Sequence, residues 1–243
     1  MGKEYSTAGK HLIADLYDNA NVDLLNNEEE LKNIITEAVK KSRAHLVKIQ
    51  SFSYKPQGVT VEAIIKESSM EIHTYPESAY ASISFYTCGS KARPEKGLAF
   101  IINALKPQKV ESFIVQRGNK KDMIISQIKT KAKAVPFGFS LLIDAYKCRP
   151  AKRLNDLSLS YDFLDTLPAK IGMEKQAPPY LFRSDEVKYP DKAGLSGGVY
   201  LIESGIQYHT IVPKSFLTMI VYSCKEFDPD IVIDEIKKVF KKS

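Results

Sequence analysis

Along the first part of the chain, apolar positions fall into short alternating runs and one clear helical stripe. Leu31, Ile34, Ile35, Ala38 and Val39 recur at i, i+3, i+4, i+7 and i+8. That spacing predicts a helix over residues 28–41 with one apolar face, and Asn27 is placed to cap it. Strand patterns cover residues 10–17, 45–54, 59–66 and 79–86, the last running on to Cys88. A second helix is predicted at 94–105 and a further strand at 110–115. The pattern then starts again: Gly138, Leu141, Asp144, Tyr146 and Leu154-Asn155 repeat Gly9, Leu12, Asp15, Tyr17 and Leu25-Asn26 at an offset of 129 residues. A closing helix is marked by Asp228 as cap, Pro229 in the first turn, and a stripe of Val232, Ile236, Val239 and Phe240.

Further along, the repeat continues at an offset of 136. Thr60, Glu67-Ser68, His73 and Cys88 are matched by Ser196, Glu203-Ser204, His209 and Cys224. The change of offset implies seven extra residues, which belong in the Pro-rich, charged stretch 176–192, predicted to be a loop. Residues 118–134 are polar and Lys-rich and read as a linker. The expected fold is therefore α+β, with repeats at 6–117 and 135–243. Each would be an antiparallel sheet with helices on its outer face, the two forming a pseudo-two-fold αββα sandwich.

A repeated hydroxyl, Glu-Ser, histidine and cysteine set is not what core packing preserves, so the repeat unit carries chemistry. Composition narrows the choice. The chain has 243 residues, 44% apolar and 26% charged, with a net charge of +6 spread over Lys-rich segments. Basic residues are not interleaved with aromatics on one face, so no nucleic-acid partner is expected. Three cysteines and four histidines without Cys-x-x-Cys or His-x-x-x-His spacing predict neither a disulfide framework nor a metal site. No apolar run is long enough to span a membrane and no signal-peptide pattern is present, so the expected location is the cytoplasm.

A serine that follows glutamate at a strained strand end can attack the glutamyl carbonyl and turn the peptide bond into an ester. Removal of the serine α-proton then eliminates the ester, and hydrolysis leaves a pyruvoyl group at a new N-terminus. Such a carbonyl condenses with a substrate amine and accepts electrons as CO₂ leaves. A nearby thiol can return the proton. Spacing alone does not establish these steps.

A resemblance supports them. Glu67-Ser68-Ser69-Met70-Glu71-Ile72-His73-Thr74-Tyr75-Pro76-Glu77, followed by Tyr86-Thr87-Cys88-Gly89, resembles the self-processing segment of the S-adenosylmethionine decarboxylases. Gly9-Lys10-His11-Leu12 and Pro56-Gln57-Gly58-Val59-Thr60 resemble that family's opening and pre-cleavage strands. The likeness covers nearly all of 6–117 and, more loosely, 135–243. It is similar to the eukaryotic-type arrangement, in which two halves are fused in one chain and each active site draws on both. The resemblance implies one site of Glu67, Ser68 and Cys88 with Ser196 and His209. It implies a second of Glu203, Ser204 and Cys224 with Thr60 and His73. Ser68, and in the second site Ser204, would become the pyruvoyl group; neither a metal nor pyridoxal phosphate is implied.

The sequence departs from the family pattern in a lopsided way. The ribose-binding glutamate, four residues after the histidine, is Pro213 in the second half, with Lys214 next. The adenine-stacking aromatic, six residues before the processing hydroxyl, is Pro190, with Tyr189 adjacent. The first half keeps Tyr54 and Glu77 at those positions but has threonine, Thr60, as the processing hydroxyl. The expected substrate-binding residues are thus Tyr54, Glu77 and Tyr189. The expected activity is pyruvoyl-dependent decarboxylation of S-adenosylmethionine, feeding spermidine synthesis, by a monomer or homodimer. The alternatives are a decarboxylase of arginine or ornithine, and an unprocessed relative acting as scaffold or activator.

Overall fold

A computed structural model of the chain describes residues 9–66, 68–88, 91–117, 124–128, 138–184, 190, 193–202 and 204–240. Among them no helix is long and apolar enough to cross a membrane. The chain divides into two compact units, Met1–Lys133 and Ala134–Ser243.

The first unit holds a seven-stranded sheet: β1 (Gly9–Asn19), β2 (Leu46–Ser53), β3 (Val59–Ile65), β4 (Ser68–Tyr75), β5 (Tyr80–Cys88), β6 (Pro107–Arg117) and β7 (Ile124–Ile128). Their order is β2-β3-β4-β5-β1-β6-β7, and every neighbouring pair is antiparallel. Helices α1 (Glu28–Lys41) and α2 (Pro94–Leu105) pack on one face of this sheet. There the alternate residues Leu12, Leu16, Val61, Ala63, Met70, Ile72, Ile83 and Phe85 meet Leu31, Ile35, Leu98 and Ile101 in one buried core. The other face of the same strands is polar yet buried, with Thr60, Glu62, Ser69, Glu71, His73 and Ser82 all at or below 4% exposure. Buried polar rows are held by hydrogen bonds or they are costly, so this face is where a site is to be sought.

The second unit repeats the plan with β8 (Phe139–Ala145), β9 (Tyr180–Arg183), β10 (Leu195–Leu201), β11 (Ser204–Ile211) and β12 (Phe216–Ser223), in the order β8-β12-β11-β10-β9. Replacing each strand by its repeat equivalent gives the order of the first five strands of the other sheet. Helices α3 (Leu157–Lys170) and α4 (Pro229–Phe240) contribute Leu164, Leu167, Val232, Ile236 and Phe240 to a core with Val199, Ile206, Met219 and Val221. Both first helices start alike: the Asn27 side chain accepts from the Glu30 N–H and the Asp156 side chain from the Leu159 N–H, each at 3.1 Å. Asp228 caps α4 through the Asp230 N–H.

Three segments differ from the sequence reading. Within the expected linker 118–134, Ile124–Ile128 is an edge strand paired with β6. Three isoleucines in five residues outweigh the flanking lysines once β6 offers a free backbone ladder. Within the expected loop 176–192, Tyr180–Arg183 is a strand on the edge of β10. Finally, both Glu-Ser pairs lead directly into strands, β4 and β11, which the periodicity did not single out.

Candidate active site

Ser68 is the first residue of β4, paired with Ile65 on β3 and Thr87 on β5. Its φ is 152°, a region that only glycine occupies freely, and holding a serine there costs on the order of 1–3 kcal/mol. Its Oγ is buried without a hydrogen-bond partner among the described residues. Thr87, directly across the ladder, is fully buried and its Oγ1 is likewise unpartnered among them. Cys88, the next residue, is half-buried and pairs with Gly9 on β1. One strand spacing and one residue of rise separate Cys88 from Ser68, about 6 Å between Cα atoms. The sheet therefore brings the backbones of Ser68 and Cys88 close, with strand alternation turning Cys88 to the face opposite Thr87; Glu67 lies outside the described residues.

Thr60 and His73 form a second centre at the other end of the same strands. Register pairs them directly, and Thr60 Oγ1 lies 2.7 Å from His73 Nδ1. The Tyr54 hydroxyl lies 3.1 Å from the same Oγ1. On the other ring nitrogen, Glu71 Oε1 stands 3.2 Å from Nε2. Glu77 is exposed on the turn after β4, where its carboxylate accepts from Gln57 Nε2 at 3.3 Å. Gly58 closes the facing turn at φ +100°, and a Cβ there would come within 2.9 Å of the Thr74 carbonyl, so the tight approach requires glycine. Tyr54, Thr60, His73 and Glu77 are thus gathered at one sheet end. His73 is five residues from Ser68 along β4, about 17 Å, so this group does not reach Ser68.

The second unit keeps the register. Ser196 pairs with His209 as Thr60 does with His73, and Ser204 pairs with Ser223 as Ser68 does with Thr87. Cys224 follows β12 and is exposed. Pro190 and Pro213 are exposed and Lys214 is half-buried. Glu203 and Tyr189 lie outside the described residues, as does the side chain of Ser204. Tyr208, which sequence order puts beside His209, faces the opposite way: strand alternation turns it into the core against Phe163 and Phe240, with its hydroxyl 3.0 Å from Ser160 Oγ. Burial pushes its ionisation well above the usual phenol range.

Two features escaped the sequence reading. Glu71, two residues before His73 on one strand, necessarily shares its face, and that alternation was the available signal. The other joins distant strands: His11 Nε2 is 2.9 Å from Ser84 Oγ, the Arg117 guanidinium is 3.4 Å from His11 Nδ1, and Arg117 lies over the Tyr86 ring at 4.8 Å. Burial, and secondarily the Arg117 charge, hold the His11 imidazole neutral, well below its ordinary value. Only register brings these residues together.

Comparison with known proteins bears on both units. The family model described as S-adenosylmethionine decarboxylase matches residues 10–118 and 140–243. The S-adenosylmethionine decarboxylase proenzyme of Brevibacillus brevis is 37% identical over 115 residues, 47% of this chain and 86% of that protein. That of Pyrobaculum islandicum is 39% identical over 115 residues, 47% of this chain and 91% of its own. A crystal structure of the adenosylmethionine decarboxylase from Aquifex aeolicus is 25% identical, covering 53% of this chain and 99% of that one, with a TM-score of 0.44. About half of this chain thus spans most of each of the two proenzymes, as a duplicated unit would. With its model matched across both repeats, the chain belongs to the S-adenosylmethionine decarboxylase family.

Proposed function

We propose that this chain is a self-processing, pyruvoyl-dependent decarboxylase of S-adenosylmethionine, cut between Glu67 and Ser68. Family membership supports the substrate, and through it a supply of aminopropyl donor for polyamine synthesis. The state of Ser68 supports the site: a serine on a strained backbone with an unengaged, buried hydroxyl fits conversion into a prosthetic group. Attack of Oγ on the Glu67 carbonyl carbon forms an ester as the C–N bond breaks and the nitrogen takes a proton. Leaving the peptide geometry also relieves the strain at Ser68. Loss of the Ser68 α-proton then expels the Glu67 carboxylate as the new C-terminus, and water releases the nitrogen as ammonia. A pyruvoyl carbonyl at position 68 supplies an electron sink for decarboxylation.

The remaining roles fall to side chains of this chain. Cys88, whose Cα lies about 6 Å from that of Ser68, is the proton donor to the product carbon. Cleavage at Ser68 depends on Ser196 and His209, the histidine taking the α-proton. Ser204 with Cys224, Thr60 and His73 forms the second candidate set, and Tyr54 and Glu77 bind the nucleoside part of the substrate. The experiment is intact mass under denaturing conditions for the wild type, Ser68→Ala and Ser204→Ala. A pyruvoyl-blocked fragment starting at position 68, lost in Ser68→Ala, is the expected outcome, with CO₂ release from S-adenosylmethionine exceeding that from arginine or ornithine. A single uncut chain in the wild type would sink the mechanism.

A further inference from the structure

We propose that Glu71 is a positioning residue for self-cleavage: its carboxylate holds the proton of the His73 imidazole on Nε2, so that Nδ1 turns a lone pair to the Thr60 hydroxyl. The inference rests on the reading that Thr60 and His73 serve the cut between Glu203 and Ser204. Alternation along β4 puts Glu71 and His73 on one face, and Glu71 Oε1 stands 3.2 Å from His73 Nε2. A nitrogen lone pair beside a carboxylate is repelled, whereas an N–H is attracted, and that contact sets the tautomer. Nδ1, 2.7 Å from Thr60 Oγ1, then accepts from the Thr60 O–H. The Tyr54 hydroxyl, 3.1 Å from the same Oγ1, donates to it. The contacts are thereby ordered in one direction, from the Tyr54 phenol to the Glu71 carboxylate.

The repeat shows that the fold itself does not ask for a charge at this position. The equivalent of Glu71, 136 residues on, is Gln207, which is 2% exposed against 3% for Glu71. Two residues later stands His209, paired with Ser196 in the register of His73 with Thr60. A neutral amide of the same shape therefore packs on this face, and burying a carboxylate instead carries a desolvation cost. Across the β3–β4 ladder Glu71 meets no cation but a second carboxyl group, Glu62, which accepts from Gln50 Nε2 at 3.2 Å. Contact with an imidazole N–H gives the charge a use. As in hydroxyl–imidazole–carboxylate triads, it fixes which nitrogen can take up a proton and stands beside the imidazolium that forms. In the cleavage step Nδ1 takes the α-proton of Ser204, and the electron pair left behind expels the Glu203 carboxylate from its ester. Glu71 neither gains nor loses a proton.

The test reads the tautomer directly, from ring nitrogen-15 shifts of the full-length chain made uncuttable by Ser68→Ala and Ser204→Ala, at mildly alkaline pH. With four histidines in the chain, the His73 signals are those missing from His73→Gln. With Glu71 in place the expected state is a single tautomer, protonated on Nε2. In Glu71→Gln the Nδ1–H form should appear beside it, its share raised on the order of tenfold, because an amide can either accept from the ring or donate to it. Glu62→Gln should leave the ring as it was. In the cleavable chain, Glu71→Gln should slow the fragment starting at position 204 by roughly 10²–10⁴-fold, the upper end being the loss when a triad's carboxylate becomes an amide. The fragment starting at position 68 should keep its wild-type rate, which shows that the variant folds. A proton on Nδ1 with Glu71 present would overturn the inference, as would a tautomer that Glu71→Gln leaves alone or that Glu62→Gln moves as far. So would full-rate cutting at Ser204 in Glu71→Gln. If the wild type yields no fragment from position 204, it is the second processing set that fails as a reading, while the ring tautomer still decides on Glu71.

Discussion

His11 shows how one residue's surroundings become a measurable property of the whole protein. Ser84 and Tyr86 face it from β5 and Arg117 from β6, and it is fully buried. The native imidazole therefore resists protonation, whereas in the unfolded chain it titrates near its ordinary value of about 6.5. Above that pH both states are neutral and His11 has no effect on stability. Below it the unfolded chain binds a proton that the native state refuses, so stability falls as pH falls, by up to about 1.4 kcal/mol per pH unit. The melting temperature is expected to drop between pH 7 and pH 5, and His11→Gln to flatten that drop while leaving the value at pH 7.5 nearly unchanged. Parallel curves for the two proteins would show that other groups cause the acid loss. Ser68 makes a related point: strain and an orphan hydroxyl together withhold a few kcal/mol from a fold whose net stability is of order 5–15. A protein gives that up at a residue whose chemistry uses it.

At the scale of elements, the contact between α1 and α2 is set by Gly97. A Cβ there would stand 2.3 Å from Ser42 Oγ and 2.9 Å from the Ala38 carbonyl oxygen. Ser42 cannot swing clear without losing its 2.8 Å bond to that same carbonyl. Alanine is favoured over glycine in a helix by about 1 kcal/mol, but overpacking a buried contact costs about 1–3. Overlap with a backbone oxygen decides the sign, so Gly97→Ala is expected to destabilise, by about 1–2 kcal/mol in denaturant unfolding. An unchanged or higher midpoint would mean the helices slide apart freely. Helices α1 and α2 were legible in the sequence to the residue because a 3.6-residue stripe, a cap and a proline agree there. Edge strands β7 and β9 were not, since an edge is held by its neighbour's backbone rather than by its own pattern. The hydroxyl, imidazole and thiol at Ser68, His73 and Cys88 were visible through the repeat. Thr87, Glu71 and the His11–Arg117 contact were not, because register alone decides which side chains face one another.

For the whole molecule the repeat poses a question that distance within one sheet can answer. Each unit carries a hydroxyl–imidazole pair, Thr60 with His73 and Ser196 with His209, locked in the same register. Each also carries a Glu-Ser bond at the start of the following strand. If a unit processed its own bond, Thr60 and His73 would act on Ser68. Five residues of extended β4, about 17 Å, lie between His73 and Ser68, and a proton transfer needs heavy atoms about 3 Å apart. In this register Thr60 and His73 do not reach Ser68, and the reading proposed above assigns its cleavage to Ser196 and His209 instead. The expected outcome is that Ser196→Ala and His209→Ala each slow appearance of the fragment starting at position 68, by roughly the 10²–10⁴-fold that general acid–base groups contribute. Thr60→Ala and His73→Ala should leave that fragment's rate unchanged, while any cut at Glu203-Ser204 disappears with them. The reverse dependence, with Ser68 cleavage lost in Thr60→Ala and retained in Ser196→Ala, would require β4 to leave its present register before reacting. Hydrogen exchange at the β3–β4 ladder would then be fast in the uncut Ser68→Ala chain, whereas a fixed register predicts that these amides are among its slowest.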